Sequence, residues 1–436
     1  MKKKIINGLL QILGIMIVGG LIGYAVGKIA GDSLSKVDTP NTILLLIAGV
    51  IVFILQIIVH EAGHLFFGLL SGYKFISFRV FDFKIIKDEN GKLKIRFERL
   101  AGTGGQCLMR APEYVEGKFK YKLYLLGGVT FNLVFSIIFW LVLPSYYTLL
   151  FALIGFALAF LNLIPMGFND GMTFYHASKD ETTRFVLYLQ LEYVYYQSIG
   201  KNLLIEKNIK KHRLNCYIAG KLRILSTGRS SMLVTHPTQM FEMFMSNNPD
   251  FITFFKNNID MIMPDDYDSK KNKYGYLKND YGTFFLIRVI LHAIRGDFEE
   301  VKKRCDAYLK NPLKDSYYKY GELHYEFLGA LADKDIDGMK KVINGMMKQK
   351  VARKFSNDNN PNYEFYLHVY VIIYAKIALY HGIDLEIDNE VAPKELIDIT
   401  PLEKYEDPYD FMKDFDLATV TPKEWKEWKN SWNLNL

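Results

Sequence analysis

His60, Glu61 and His64 form the pattern His-Glu-x-x-His, and side chains at i and i+4 share one face of a helix. Two imidazoles so placed can bind one Zn²⁺ while the glutamate between them reaches its water, which is the arrangement of a hydrolytic metal site. The pattern lies inside an apolar run that continues through residues 43–70. Ionisable groups at membrane depth cost about 2.5–3.5 kcal/mol each, so three of them on two turns require a compensating partner. A shared cation is one such partner.

Two imidazoles leave a zinc ion short of protein ligands, and a third must come from an acid or histidine at matching depth. Asp170 meets that condition, because the apolar segment that ends near residue 164 returns the chain to the side where His64 lies. Pro165 removes a backbone donor there, and Gly167 and Gly171 permit unusual dihedrals, so the chain can unwind where a carboxylate must turn inward. The alternative for Pro165 to Gly171 is an ordinary exit turn, with Asp170 solvated or capping the next helix.

These residues need elements to hold them. The chain has 436 residues, half of them hydrophobic, and divides into a membrane part at residues 1–178 and a polar part at 179–436. Four segments reach spanning length: 5–26, 42–70, 123–143 and 146–164. The first, behind Lys2-Lys3-Lys4, reads as a retained anchor, its apolar core being longer than a signal sequence requires. Lys and Arg crowd residues 71–122 and are sparse near the first outer turn, so that loop and both termini are expected in the cytoplasm. The second segment then enters from outside, and His60 lies about 27 Å down its axis, near the cytoplasmic boundary. The chain is thus expected to be an integral membrane protein, in the cell membrane. The net charge of +7 follows from these loops beside anionic headgroups, and no nucleic-acid partner is expected.

His60-Glu61-x-x-His64 followed by Asn162-x-x-Pro165-x-x-x-x-Asp170-Gly171 resembles the site-2 protease family of intramembrane zinc metalloproteases. The resemblance implies a three-helix core from the second, third and fourth segments, with Asp170 as the third zinc ligand and Glu61 as the catalytic residue. Gly128-x-x-x-Asn132 fits a further element on the middle helix, although Gly127-Gly128 departs from the more frequent Gly-Pro. Asn132 and Asn162 would then contact substrate or the developing oxyanion. By its residue type alone, Asn132 serves equally as a link between helices. Gln56, one turn before His60, reads first as an interhelical hydrogen-bonding residue.

Within the region 75–109, residues 75–86 and 92–97 read as two strands joined at Asp88-Glu89-Asn90-Gly91, a strong hairpin signal. The Gly-rich stretch that follows can hold an extended segment with an open edge. The family carries a membrane-associated β element here, and a protease must unwind a helical substrate, whose freed amides a sheet edge can pair. The same hairpin serves alternatively as a shield against cytosolic water.

Residues 179–436 show amphipathic helical patterns without further spans, some paired at uneven intervals that weakly resemble tetratricopeptide-type repeats. The fold expected is therefore a polytopic α-helical membrane domain with a small cytoplasmic β-hairpin element, joined to an all-α soluble domain, for which the repeat-like pattern suggests a helical-repeat solenoid that binds a cytoplasmic protein. Trp425, Trp428 and Trp432 have helical spacing suited to docking on that domain. Cys107, Cys216 and Cys305 show no metal spacing. The activity expected is zinc-dependent hydrolysis of a peptide bond in or beside a transmembrane segment, with the bilayer and a membrane-spanning substrate as partners. The competing expectations are an idle membrane scaffold with a binding domain, and a zinc transporter or sensor.

Overall fold

A computed structural model describes residues 42–87, 91–97, 104–143, 145–167, 169–227, 233–263, 282–313, 319–356 and 367–431. The chain separates into two compact units, divided between Leu187 and Tyr188. The segment 5–26 lies outside the described residues.

Three helices of the first unit are long and apolar enough to cross a membrane: α1 (Thr42–Leu70), α2 (Lys122–Val142) and α3 (Tyr146–Leu163). Their packing follows residue size and polarity. On α1 the buried positions are Val52, Gln56, Ile57, Glu61, Gly63, His64 and Gly68, spaced as one stripe, whereas Leu46, Ile47, Val50, Ile51 and Phe66 are exposed. Such outward apolar faces are compatible with a lipid surround. α3 begins with a capping box, in which Ser145 Oγ accepts from the Thr148 amide while the Thr148 hydroxyl accepts from the Ser145 amide. A short helix, α4 (Asp170–Lys179), follows α3.

Between α1 and α2 lies a four-stranded antiparallel sheet, β1 (Lys74–Val80), β2 (Phe83–Lys87), β3 (Leu93–Phe97) and β4 (Gly105–Arg110), in the order β3-β2-β1-β4. The sequence pattern joins 75–86 into a single strand, but the backbone reverses after Val80, which pairs with Phe83. Phe81 takes a positive φ of 49° to close this two-residue turn. A bulky aromatic is rare there, so its residue type carries no turn signal. The Gly-rich segment supplies β4, an outer strand that packs beside α1. Most of the Asp88-to-Gly91 turn lies outside the described residues. On β3, Leu93, Ile95 and Phe97 are exposed and share one face by strand alternation.

The second unit is helical. Thr283–Arg295, Phe298–Lys310, Glu322–Ala332 and Ile336–Met346 pack each against the next. Val369–Tyr380 is buried along most of its length. In helix Pro422–Ser431, Trp425 is fully buried against Phe254, and Trp428 lies against Phe415. Trp432 falls outside the described residues.

Candidate metal centre

His60 and His64 lie one turn apart on the buried stripe of α1, with Nε2 atoms 3.2 Å from each other. Asp170, the first residue of α4, brings Oδ2 to 3.1 Å from His60 Nε2 and 3.3 Å from His64 Nε2. Among the described residues this is the one group of His, Cys, Asp and Glu side chains able to hold a metal ion. Three ligands about 2.0–2.1 Å from a tetrahedral ion are separated by about 3.3 Å. The observed triangle has those dimensions.

Hydrogen bonds behind the ligands fix the donor set. His64 Nδ1 is 2.7 Å from the Tyr124 carbonyl oxygen, which has no hydrogen, so Nδ1 is the donor. His60 Nδ1 donates to Asn132 Oδ1 at 2.6 Å. In their neutral forms both rings therefore turn an Nε2 lone pair toward the Asp170 carboxylate. Three acceptors converge without a donor among them, and a cation satisfies all three. Donation from the far ring nitrogen is also the usual support of metal-bound histidine. The residues present thus fit a divalent ion such as Zn²⁺; the donor set alone does not select among divalent metals.

Close backbone approach makes the arrangement possible. A Cβ on Gly128 would lie 2.5 Å from the His60 ring, so α2 leaves room for that imidazole only with glycine. Asp170 is aimed by the residue before it. Asn169 Nδ2 donates to the Leu161 and Ile164 carbonyls at 2.6 and 2.7 Å, while its Oδ1 accepts from Met166 and Met172 amides. One side chain thereby closes the end of α3 and caps α4 across the break at Pro165.

Glu61 is 8% exposed and packs against β4. A Cβ on Gly105 would lie 2.6 Å from its Oε1, and the carboxylate faces the Cys107 backbone. Tyr124 ties the same strand to the ligands: its hydroxyl donates to the Cys107 carbonyl at 3.1 Å, and its own carbonyl receives His64.

Asn132 is fully buried, with its amide nitrogen donating to Gln56 O and Gln56 Oε1 at 3.0 and 2.6 Å. Both amide hydrogens are thereby occupied, and the residue faces the back of His60. Asn162 stands apart from the ligand triangle, its amide donating to Leu158 O one turn earlier in α3. His176 is exposed on α4. The residue types of Tyr124 and Asn169 do not by themselves mark a metal site. Tyr124 acts on His64 through a carbonyl that every residue carries, whereas Asn169 does bear a helix-start signal. No family model, curated protein or solved structure matches this chain.

Proposed function

We propose that this protein is an intramembrane zinc metalloprotease of the site-2 protease type, cleaving a peptide bond in or beside a substrate's transmembrane segment. The observation that carries the reading is the convergence of His60, His64 and Asp170 on one point of a membrane-length helix, with buried Glu61 next in the chain to His60. Zinc, when bound, supplies Lewis acidity and lowers the pKa of water toward neutrality. His60, His64 and Asp170 hold the ion. Glu61 accepts the proton of the attacking water and returns it to the leaving amine. β4, the outer strand beside Glu61, offers backbone partners to an unwound substrate.

The membrane domain is proposed to span four times, with residues 5–26 as the first span and both termini in the cytoplasm of a cell-membrane protein. Dense Lys and Arg in 71–122 support that orientation. The sequentially packed helices of the second unit support a solenoid-like platform for a cytoplasmic partner.

The test is cleavage of single-span membrane substrates by purified protein in detergent with zinc. Glu61→Gln is expected to lower cleavage about 10²–10⁴-fold with zinc retained, and Asp170→Ala to weaken zinc binding. Cleavage that survives Glu61→Gln overturns the mechanism. Zinc binding without cleavage of any substrate favours the scaffold reading.

A further inference from the structure

Gln56 takes no part in the chemistry proposed above, yet it is completely buried one turn before His60. Its Nε2 donates to the Phe151 carbonyl of α3 at 2.8 Å and to Ser136 Oγ of α2 at 3.2 Å. Its Oε1 accepts from Asn132 Nδ2, as does its own backbone carbonyl. A Cβ on Gly155 would come within 2.4 Å of Gln56 Nε2 and 2.0 Å of Ser136 Oγ. Glycine there makes room for this polar layer across three helices.

An amide side chain can sit either way round, and its partners decide which. Phe151 O can only accept, so Gln56 must turn its NH₂ to it and its oxygen to Asn132. Gln56 O can only accept as well, which demands the NH₂ of Asn132. Asn132 Oδ1 is then left for His60, 2.6 Å from Nδ1. That oxygen takes the Nδ1 proton, and the lone pair remains on Nε2. Two backbone carbonyls thus set the direction of every bond in the chain Phe151, Gln56, Asn132, His60.

We infer that Gln56 is a positioning residue for the metal centre: through Asn132 it holds His60 in the Nδ1–H tautomer and presents its Nε2 to the ion. The inference rests on the metal-centre reading, and needs neither the protease activity nor a substrate. A residue that only joined helices would influence stability. A residue that sets a ligand's tautomer influences metal affinity, typically about 10–100-fold.

The experiment measures zinc affinity of the full chain in detergent by competition with a chromophoric chelator, alongside the visible spectrum of the Co²⁺-loaded protein. Gln56→Met keeps side-chain length but removes the Oε1 acceptor, leaving the Gln56 backbone carbonyl alone to hold the Asn132 NH₂. It is expected to weaken zinc binding about 10–100-fold and to reduce the tetrahedral Co²⁺ absorption. Ser136→Ala removes another hydrogen bond of the same polar layer and leaves both Asn132 bonds in place, so its affinity and spectrum should stay those of wild type. Unchanged affinity in Gln56→Met overturns the inference. So does an equal loss in Ser136→Ala, since that marks a purely structural role. Wild-type protein that binds neither zinc nor cobalt overturns the metal-centre reading itself, and the inference with it.

Discussion

Gly63 and Gly127 meet backbone to backbone: a Cβ on Gly63 would lie 2.2 Å from the Gly127 carbonyl oxygen, and one on Gly127 would lie 2.5 Å from that of Gly63. Small residues permit such close crossings of membrane helices. This contact lies between the two histidine ligands on α1 and sets the distance to α2, which carries Tyr124 and Asn132. Gly63→Ala or Gly127→Ala should therefore push the helices apart, at a cost of about 1–3 kcal/mol. Zinc affinity should fall at least about tenfold as the hydrogen bonds to both histidines stretch. Calorimetric zinc titration together with the unfolding temperature checks this. Full affinity with a lowered unfolding temperature would show that the crossing holds the fold and leaves the ligands alone.

Gly105 offers a separation of catalysis from metal binding. A methyl group there would press on Glu61 Oε1 and Cγ, at 2.6 and 2.8 Å, and on Ile57, while the three ligand atoms lie on the other elements. Gly105→Ala is expected to reduce cleavage by about 100-fold, the scale set by misplacing a reacting group by about 1 Å. Zinc content should remain that of wild type. Activity and bound zinc measured on the same preparation decide the matter, and loss of both would place β4 in the support of the metal instead.

Asn169 provides the second route to the ligand triangle. Asn169→Ala removes the cap of α4 and the closure of α3, worth about 1 kcal/mol for the cap alone. With Asp170 less constrained, zinc affinity should drop about tenfold. Asn169→Asp keeps an acceptor for the Met172 amide but loses both donations to the α3 carbonyls, so an intermediate affinity is expected. Equal affinities in all three proteins would remove Asn169 from the positioning of Asp170.

Acid should unfold the second unit through buried histidines. Burial pushes His324 down to about 3 and His236 and His368 to about 4, from the ordinary 6.5. Neighbouring histidines lower His324 further; its ring packs on Tyr370 and Phe355 while Nδ1 meets the Tyr374 hydroxyl. A folded pKa below the unfolded one means that the unfolded chain binds more protons. The stability is therefore complete above about 6.5 and is lost as pH falls through 6.5 toward 3–4. At pH 5 each such group removes about 2 kcal/mol. Fluorescence of Trp425, buried on Phe254, should report an acid transition that moves to lower pH in His324→Gln. A transition unmoved by that change would assign the loss to other groups.

The parts of this molecule legible in the sequence are those in which residue type and spacing act together. Apolar runs of spanning length mark α1, α2 and α3, and the His60–His64 interval places both rings on one helical face. Asp170 is legible because Pro165 and the glycines advertise a break at the right depth. Elsewhere the decisive group is a backbone atom or a partner's orientation. Tyr124 serves His64 through its carbonyl, Phe81 turns the chain with a φ that its side chain disfavours, and Asn132 faces Gln56 and His60 for reasons set by carbonyls on two helices. The Gly-rich segment signals extended chain, but its pairing with β1 across the sheet depends on contacts distant in sequence.

The single buried stripe of α1 has a bearing on how this chain can diverge. On the outward face, where Leu46, Ile47, Val50, Ile51 and Phe66 are exposed, one aliphatic residue replaces another with little effect. Along Gln56, His60, Gly63 and His64, side-chain identity and size are both constrained by what they touch. Substitutions should accumulate on one side of the helix and be removed from the other, so its rate of change alternates with the helical period while its mean hydropathy stays constant.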